Sequence, residues 1–464
     1  MQRTEYNDSI VKAFIFWSLI WGAVTVVLGI FISFQLVMPE LNFGPYFTYG
    51  RLRPIHTNAG IFGWGIGSFF AALYYIVQRL SRTRVWSDGL AKFQLWFFNA
   101  TILAAAVTLL LGHTTSKEYH EMEWPIDLMV IILWVTFSVN IIMTVWKRRE
   151  ETLYISIWYT LAALVGVAVL YTVNSAAIPV SLFKSYSAYA GTNDANVQWW
   201  YAHNAVAMVL TAPPLAVFYY FLPKVANTPI YSHRLSIVAF WSLIFMYLWT
   251  GAHHLLWTPV PDWVETLAMA FSIMLIAPSW GVVFNGYFTL NGQWHQMRDN
   301  YLLKFFIGAI TFYGLQTLQG PLQAVRTFSA FIHYSNWIPG HIHMGTMGWV
   351  SLVMFGAIYF MYEKMYNRKI YSVKLANTHF WLVVVGQLVF SISLWIAGVQ
   401  EGIMWKATGP DGTLTYTFMD TLVSIMPYFW IRSLGGVIYL GGVLVFFYNL
   451  YMTSKPGDAA AETV

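Results

Sequence analysis

The 464 residues contain no cysteine. That excludes disulfides, thiolate metal sites, a thiolate-held dinuclear copper centre and a covalently attached c-type haem, which needs C-x-x-C-H. Charge is scarce as well. Asp, Glu, Lys and Arg make up 10% of the chain, against about 25% in ordinary soluble domains. No long polar stretch interrupts the chain, and the longest segments between apolar runs are about residues 174–199 and 399–423. A separate soluble domain is therefore not expected. The net charge of +5 is small for this length and fits membrane topology better than nucleic-acid binding.

What is present is apolar and aromatic: 58% of residues are hydrophobic, with 23 Trp and 29 Tyr. Apolar runs recur at about the 20 residues that a bilayer-crossing helix needs. They predict an all-α polytopic membrane bundle of about 12 transmembrane helices, near 14–38, 55–78, 93–111, 128–146, 155–173, 200–221, 236–257, 264–289, 303–323, 337–362, 379–398 and 424–451. Residues 1–455 read as one integral membrane domain and 456–464 as a disordered cytoplasmic tail. The first run is too long for a signal-peptide core and is read as a retained span. Eighteen of the 25 Lys and Arg flank the runs on one side and six on the other, with Arg432 left inside the last run. By the positive-inside rule both termini are cytoplasmic.

Two histidines, His341 and His343, open the tenth run two residues apart. At about 100° per residue they point to nearly opposite sides of a helix. Alone, such a pair fits two hydrogen-bonded core histidines as well as two metals flanking one helix. The other histidines decide. His56 begins the second run, His203 lies just inside the sixth, and His253 and His254 end the seventh. With alternating crossings, all six fall at one depth in the outer part of the bilayer, where buried imidazoles are functional suspects by default. His113, His120, His233, His295, His333 and His379 lie near loops or run ends and read as interfacial or hydrogen-bonded histidines.

Ligand chemistry divides the six. An axial pair from two helices holds a haem with no open position, one axial histidine leaves a haem open to a gas, and three imidazoles suit copper or zinc. His56 with one tenth-run histidine makes the closed haem, and the other tenth-run histidine makes the open one. His203, His253 and His254 make a three-nitrogen site, to which adjacent histidines can both contribute only at a helix end or through different ring nitrogens.

His56, then Trp200-Tyr201-Ala202-His203-Asn204, then Trp249-Thr250-Gly251-Ala252-His253-His254, then Pro339-Gly340-His341-Ile342-His343 resemble catalytic subunit I of the haem–copper oxygen reductases over essentially the whole chain. The cbb3-type, or C-family, branch is the nearest pattern. The resemblance implies a terminal cytochrome c oxidase that reduces O2 to water, coupled to proton uptake and translocation. It implies His341 as ligand of high-spin haem b3, His56 and His343 as ligands of low-spin haem b, and His203, His253 and His254 as copper ligands. The position four residues after His203, a tyrosine in the commoner oxidases, is Ala207 here. Tyr247, on the seventh run and on the same helical face as His254, is the counterpart of the C-family tyrosine cross-linked to the first copper histidine, here His203. It would supply an electron and a proton when the O–O bond breaks.

Protons need a route, and Ser236, Tyr313, Gln316, Thr317 and Gln319 form polar positions on two runs that resemble the family's K-type pathway. Arg432, an expensive cation inside a span, would meet a haem propionate, with Arg53 and Arg51 as further candidates. The loop Lys117-Glu118-Tyr119-His120-Glu121-Met122-Glu123 gathers three acids. Oxygen donors suit a hard cation, and the resemblance implies calcium at Glu118. Without cysteine, electrons must arrive through partners, which the resemblance identifies as membrane-anchored mono- and di-haem c-type cytochrome subunits in a bacterial inner membrane. Two alternatives are a nitric oxide reductase-type subunit with haem and non-haem iron, and a membrane haem-handling or transport protein. The sixth run has no Glu beside His203, which argues against the first.

Overall fold

The structure is a computed structural model and describes residues 5–455, so the tail expected to be disordered lies outside the described residues. Among the described residues, eleven helices are long and apolar enough to cross a membrane. In chain order, with one shorter helix among them, we label them α1 Asp8–Gln35, α2 Tyr49–Leu80, α3 Asp88–Leu111, α4 Trp124–Trp146, α5 Ile155–Asn174, α6 Thr192–Ala226, α7 His233–Tyr247, α8 Asp262–Thr289, α9 Tyr301–Ala324, α10 Trp337–Tyr366, α11 Val373–Lys406 and α12 Phe418–Ser454. The shorter one is α7, with 15 residues of α-helix. It ends at Tyr247, and a 3₁₀ turn, Gly251–Leu255, carries the chain onward. The predicted loop 174–199 holds a small hairpin, Ala177–Ser181 paired with Lys184–Ser187, and then the first turns of α6. The other long loop shrinks because α11 runs on to Lys406.

One hydrogen-bond pattern occurs three times and organises the bundle. Ser87, Ser232 and Ser372 cap α3, α7 and α11. Each serine's backbone N–H donates to an asparagine Oδ1 (Asn140, Asn285, Asn449) and its C=O accepts from that asparagine's Nδ2, over 2.9–3.1 Å. The residue before each serine donates its N–H to a threonine one turn beyond the asparagine: Thr144, Thr289 and Thr453. Five residues before each serine the chain takes positive φ, at Arg82, Asn227 and Asn367. Each pair ties a helix start to the end of the helix that follows it, satisfying backbone groups that a helix cannot satisfy itself. The chain thus repeats a four-helix unit three times, as α1–α4, α5–α8 and α9–α12.

Within this scheme α2, α6 and α10 occupy equivalent places, and they form the interior. In each, 83% of the most apolar window is buried, against 61% or less in the other long helices. All three are irregular. π-helical segments occupy Ala59–Ile66 in α2 and Met344–Val350 in α10, and α6 is interrupted at Thr211 ahead of Pro213 and Pro214. Wide turns of this kind concentrate at functional sites. His56, His203, His341 and His343 all lie N-terminal to these irregularities on the three interior helices.

Candidate metal centre

His253 and His254 lie in the 3₁₀ turn that follows α7, with their rings 4.5 Å apart, and with His203 of α6 they form the one metal-capable group of three among the described residues. One ring nitrogen from each lies within 4.8 Å of the others. His203 Nδ1 is 3.1 Å from His254 Nε2, and His203 Nε2 is buried with no partner. Two metal–imidazole bonds of about 2.0–2.1 Å to one ion place nitrogens at comparable separations, so the cluster fits a small, nitrogen-preferring metal. The surroundings fix the rings. His253 Nδ1 is 2.7 Å from Ser272 Oγ, which itself donates to the Ala268 carbonyl. The imidazole therefore carries its proton on Nδ1, leaving Nε2 as the lone-pair nitrogen. Trp199 stacks on His254 at 4.1 Å and 10°. Tyr247 stands with its ring 5.5 Å from that of His203.

The two tenth-helix histidines look into different cavities. His341 lines a cavity of about 160 Å³ together with His203, His253, His254 and Tyr247. Its Nδ1 is 3.2 Å from Gln319 Oε1 on α9. His343 lines a second cavity of about 270 Å³ together with His56, Arg53 and Arg432. There the rings of His56 and His343 lie 6.3 Å apart with their planes 11° from parallel. His56 Nδ1 donates to the Thr25 carbonyl at 2.9 Å and His343 Nδ1 to the Pro339 carbonyl at 2.7 Å, so each ring keeps Nε2 free. Two parallel imidazoles with that gap leave room for one metal ion held by two ordinary bonds of about 2.0–2.1 Å, which is the axial geometry of a closed haem. Gly29 completes the fit: a Cβ there would stand 2.6 Å from His56 Cε1.

Arg432 is buried, lies over the Phe429 ring at 4.8 Å, and has a buried Nε without a partner. An unpaired guanidinium facing a cavity calls for an anionic group of a ligand. Arg53 is instead paired with Glu118 at 2.6 Å, and Arg51 packs on Gly112, away from the second cavity. The loop acids separate. Glu121 accepts from Asn58 Nδ2 at 3.0 Å and from the Tyr119 N–H at 3.2 Å, with burial raising its carboxyl above the usual range. Glu123 accepts from Ser185 at 2.7 Å. These carboxylates do not share a partner, so Glu118 faces Arg53 rather than an oxygen cage. Between Glu118 and Glu121, burial pushes the His120 imidazole down to about 4.

Of the polar residues expected along a proton route, Tyr313, Gln316 and Thr317 line the smaller cavity with Tyr247. Thr317 spends its hydroxyl on the Tyr313 carbonyl of its own helix. Ser236 lies elsewhere, fully buried, receiving a 2.9 Å hydrogen bond from Asn285, with the Tyr219 hydroxyl beside both. Ser279 stands next to Tyr313 and lines the same cavity. Tyr219, Ser279 and Asn285 escape a reading of single helices because their role depends on packing between helices. The threefold pattern is the signal that finds one of them: Tyr74, Tyr219 and Tyr359 each lie thirteen residues before a capping serine.

The family model described as cytochrome c and quinol oxidase polypeptide I matches residues 9–438. The chain is 46% identical to the cbb3-type cytochrome c oxidase subunit CcoN1 of Stutzerimonas stutzeri, over 99% of this chain and 98% of that protein. It is 43% identical to a cytochrome c oxidase subunit 1 homolog of Agrobacterium tumefaciens (strain T37), over 97% of this chain and 84% of the relative. A nitric oxide reductase chain of Stutzerimonas stutzeri is more distant, at 22% over 96% of this chain and 94% of the relative. Among solved structures, a haem–copper terminal oxidase dimer determined by cryo-electron microscopy shares the fold, with a TM-score of 0.79 at 17% identity over 98% of this chain and 84% of that one. Full-length identity at this level places the chain in the cytochrome c and quinol oxidase polypeptide I family, among the cbb3-type oxidases.

Proposed function

We propose that the two faces of α10 separate an electron-receiving haem from an oxygen-reducing centre, in a terminal oxidase that takes electrons from c-type cytochromes and reduces O2 to water. The observation that carries this reading is the pairing of cavities on one helix. His343 faces His56 across 6.3 Å, while His341 shares its cavity with the clustered His203, His253 and His254 and with Tyr247. His56 and His343 would hold low-spin haem b, His341 the high-spin haem b3, and His203, His253 and His254 a copper ion. When bound, these groups supply electron transfer and an open position for dioxygen.

The chain's own residues do the rest. Thr25 and Pro339 carbonyls hold the closed pair in one tautomer, while Gln319 and Ser272 orient His341 and His253. The smaller cavity has no acidic residue among those lining it, which favours oxygen over nitric oxide chemistry with a carboxylate-assisted iron. Tyr247 is assigned as the donor of one electron and one proton from its phenol. The adjacency of its ring to His203 supports the expected cross-link between the two. Protons would reach it from the end of the bundle that holds Ser236, through Asn285, Tyr219, Ser279 and Tyr313, with Gln316 and Thr317 on the cavity wall. Arg432 would pair with a haem propionate. Arg53 serves as a second propionate contact only if it releases Glu118, and calcium at Glu118 requires the same release.

Residues 1–455 would act as one membrane domain in a bacterial inner membrane, with both termini in the cytoplasm. Its mono- and di-haem cytochrome partners would dock at the opposite face, since a chain without cysteine carries no c-type haem of its own. Metal analysis of the purified chain tests the reading: two haem irons and one copper per chain support it, and iron in the three-histidine site overturns it.

A further inference from the structure

We infer that Glu401, on α11, is a positioning residue for both haem-facing histidines of α10, acting by clamping the backbone just ahead of them. The inference rests on the division of histidines proposed above. Glu401 is 5% exposed, and among the described residues no Lys or Arg forms an ion pair with it. A buried, unpaired carboxylate within a spanning helix is costly unless fully hydrogen-bonded. Here both oxygens are used on one residue. Oε2 accepts the backbone N–H of Asn336 and Oε1 accepts its side-chain Nδ2, each at 2.6 Å.

Asn336 is the residue on which α10 begins, and it lines the His56–His343 cavity. A carboxylate at a helix start satisfies a donor the helix leaves free and complements the helix dipole. A second bond from the same helix supports the turn: Ser391 Oγ donates to the Gly340 carbonyl at 2.8 Å. Helix α11 can come this close because Gly398 faces the Trp337 N–H, where a Cβ would stand 2.2 Å away. Between those two anchors lies Pro339, whose carbonyl receives His343 Nδ1. The orientation of the His343 ring is therefore set by a carbonyl whose position α11 fixes from both sides, and His341 lies one residue past the second anchor.

The clamp can be inverted. Glu401→Gln keeps the shape but offers one donor where two acceptors are needed. Asn336→Asp alone sets two carboxylates against each other. Together the two changes restore a complementary pair: the glutamine oxygen accepts the backbone N–H, and its NH2 donates to the aspartate. The readout is the low-spin ferric electron paramagnetic resonance signal, whose g-values report the angle between axial imidazole planes, taken with haem content and the haem b midpoint potential. Each single variant should shift the g-values, and the double variant should return them to the wild-type position. Single variants with wild-type g-values and lowered thermal stability would reduce Glu401 to a structural role. A double variant with full haem content and displaced g-values would also overturn the clamp. If Glu401→Gln does not assemble, Ser391→Ala reads the same turn, and wild-type g-values there count against the inference. Absence of a bis-histidine signal in the unaltered protein would instead defeat the division of histidines.

Discussion

The two cavities that flank α10 are built from the same residue type to opposite ends. On one side His343 meets a single parallel imidazole, both tautomers are fixed by backbone carbonyls, and a buried arginine lies nearby. On the other, His341 shares a cavity with the crowded imidazoles of His203, His253 and His254, the first with a buried, unpartnered nitrogen, and with Tyr247. A closed pair has no place for a substrate and suits electron transfer. An imidazole facing a separate metal group across a gap suits a reaction between the two. What distinguishes the sites is which element faces each histidine: an α-helical turn for His56, a 3₁₀ turn for His253 and His254.

The comparison breaks most completely at the ligands. His254→Ala should remove copper and reduce oxygen turnover to background, while leaving the low-spin haem spectrum unchanged. His56→Ala should do the reverse to the spectra, keeping copper. Next in size is Tyr247→Phe. Loss of a proton donor in the reacting cavity should lower turnover on the order of 10²–10⁴-fold, measured by oxygen electrode, with haem and copper content unaltered.

The difference in how the rings are oriented gives a third test. A carbonyl cannot be removed by substitution, but Ser272 can. Ser272→Ala should weaken copper retention against a chelator by roughly 10–100-fold without touching the closed pair. A smaller effect is expected further from the cavities. Asn285→Ala removes its hydrogen bonds to Ser236 and to the Ser232 N–H and C=O, each worth about 1 kcal/mol; it should lower the thermal midpoint and slow proton-limited turnover roughly fivefold.

The smallest effect separates the loop 117–123 from both cavities. Burial holds the His120 imidazole at about 4 in the folded protein, against about 6.5 unfolded. In that interval the unfolded state binds the extra proton, so stability is present above about pH 6.5 and fades as pH falls toward about 4. Replacing His120 with Gln should flatten that part of the pH–stability curve by no more than about 2–4 °C in thermal midpoint, with unchanged haem spectra.

The six histidines were legible in the sequence because depth is a one-dimensional property: alternating crossings put them at one level without knowledge of packing. The bundle was legible for the same reason, since a lipid-facing helix must announce itself by composition. The second layer was not. Thr25 and Pro339 act through carbonyls that every residue possesses, and Asn285 and Tyr219 meet Ser236 only after three helices pack. The threefold serine–asparagine pattern is written in the chain, but as isolated polar residues 140–164 positions apart in otherwise dissimilar helices. α7 ends at Tyr247 inside what reads as one apolar run, and in the 3₁₀ turn beyond it a Cβ at Gly251 would strike the Trp199 carbonyl, a close approach that composition does not reveal.

The central claim is that His341 and His343 serve different centres from one helix. Carbon monoxide difference spectra of His341→Ala and His343→Ala test it most directly. The account predicts that His343→Ala loses the bis-histidine signature and keeps carbon monoxide binding at an open haem, whereas His341→Ala keeps the signature and loses that binding. The same spectral loss in both variants, or the two losses exchanged, would contradict it.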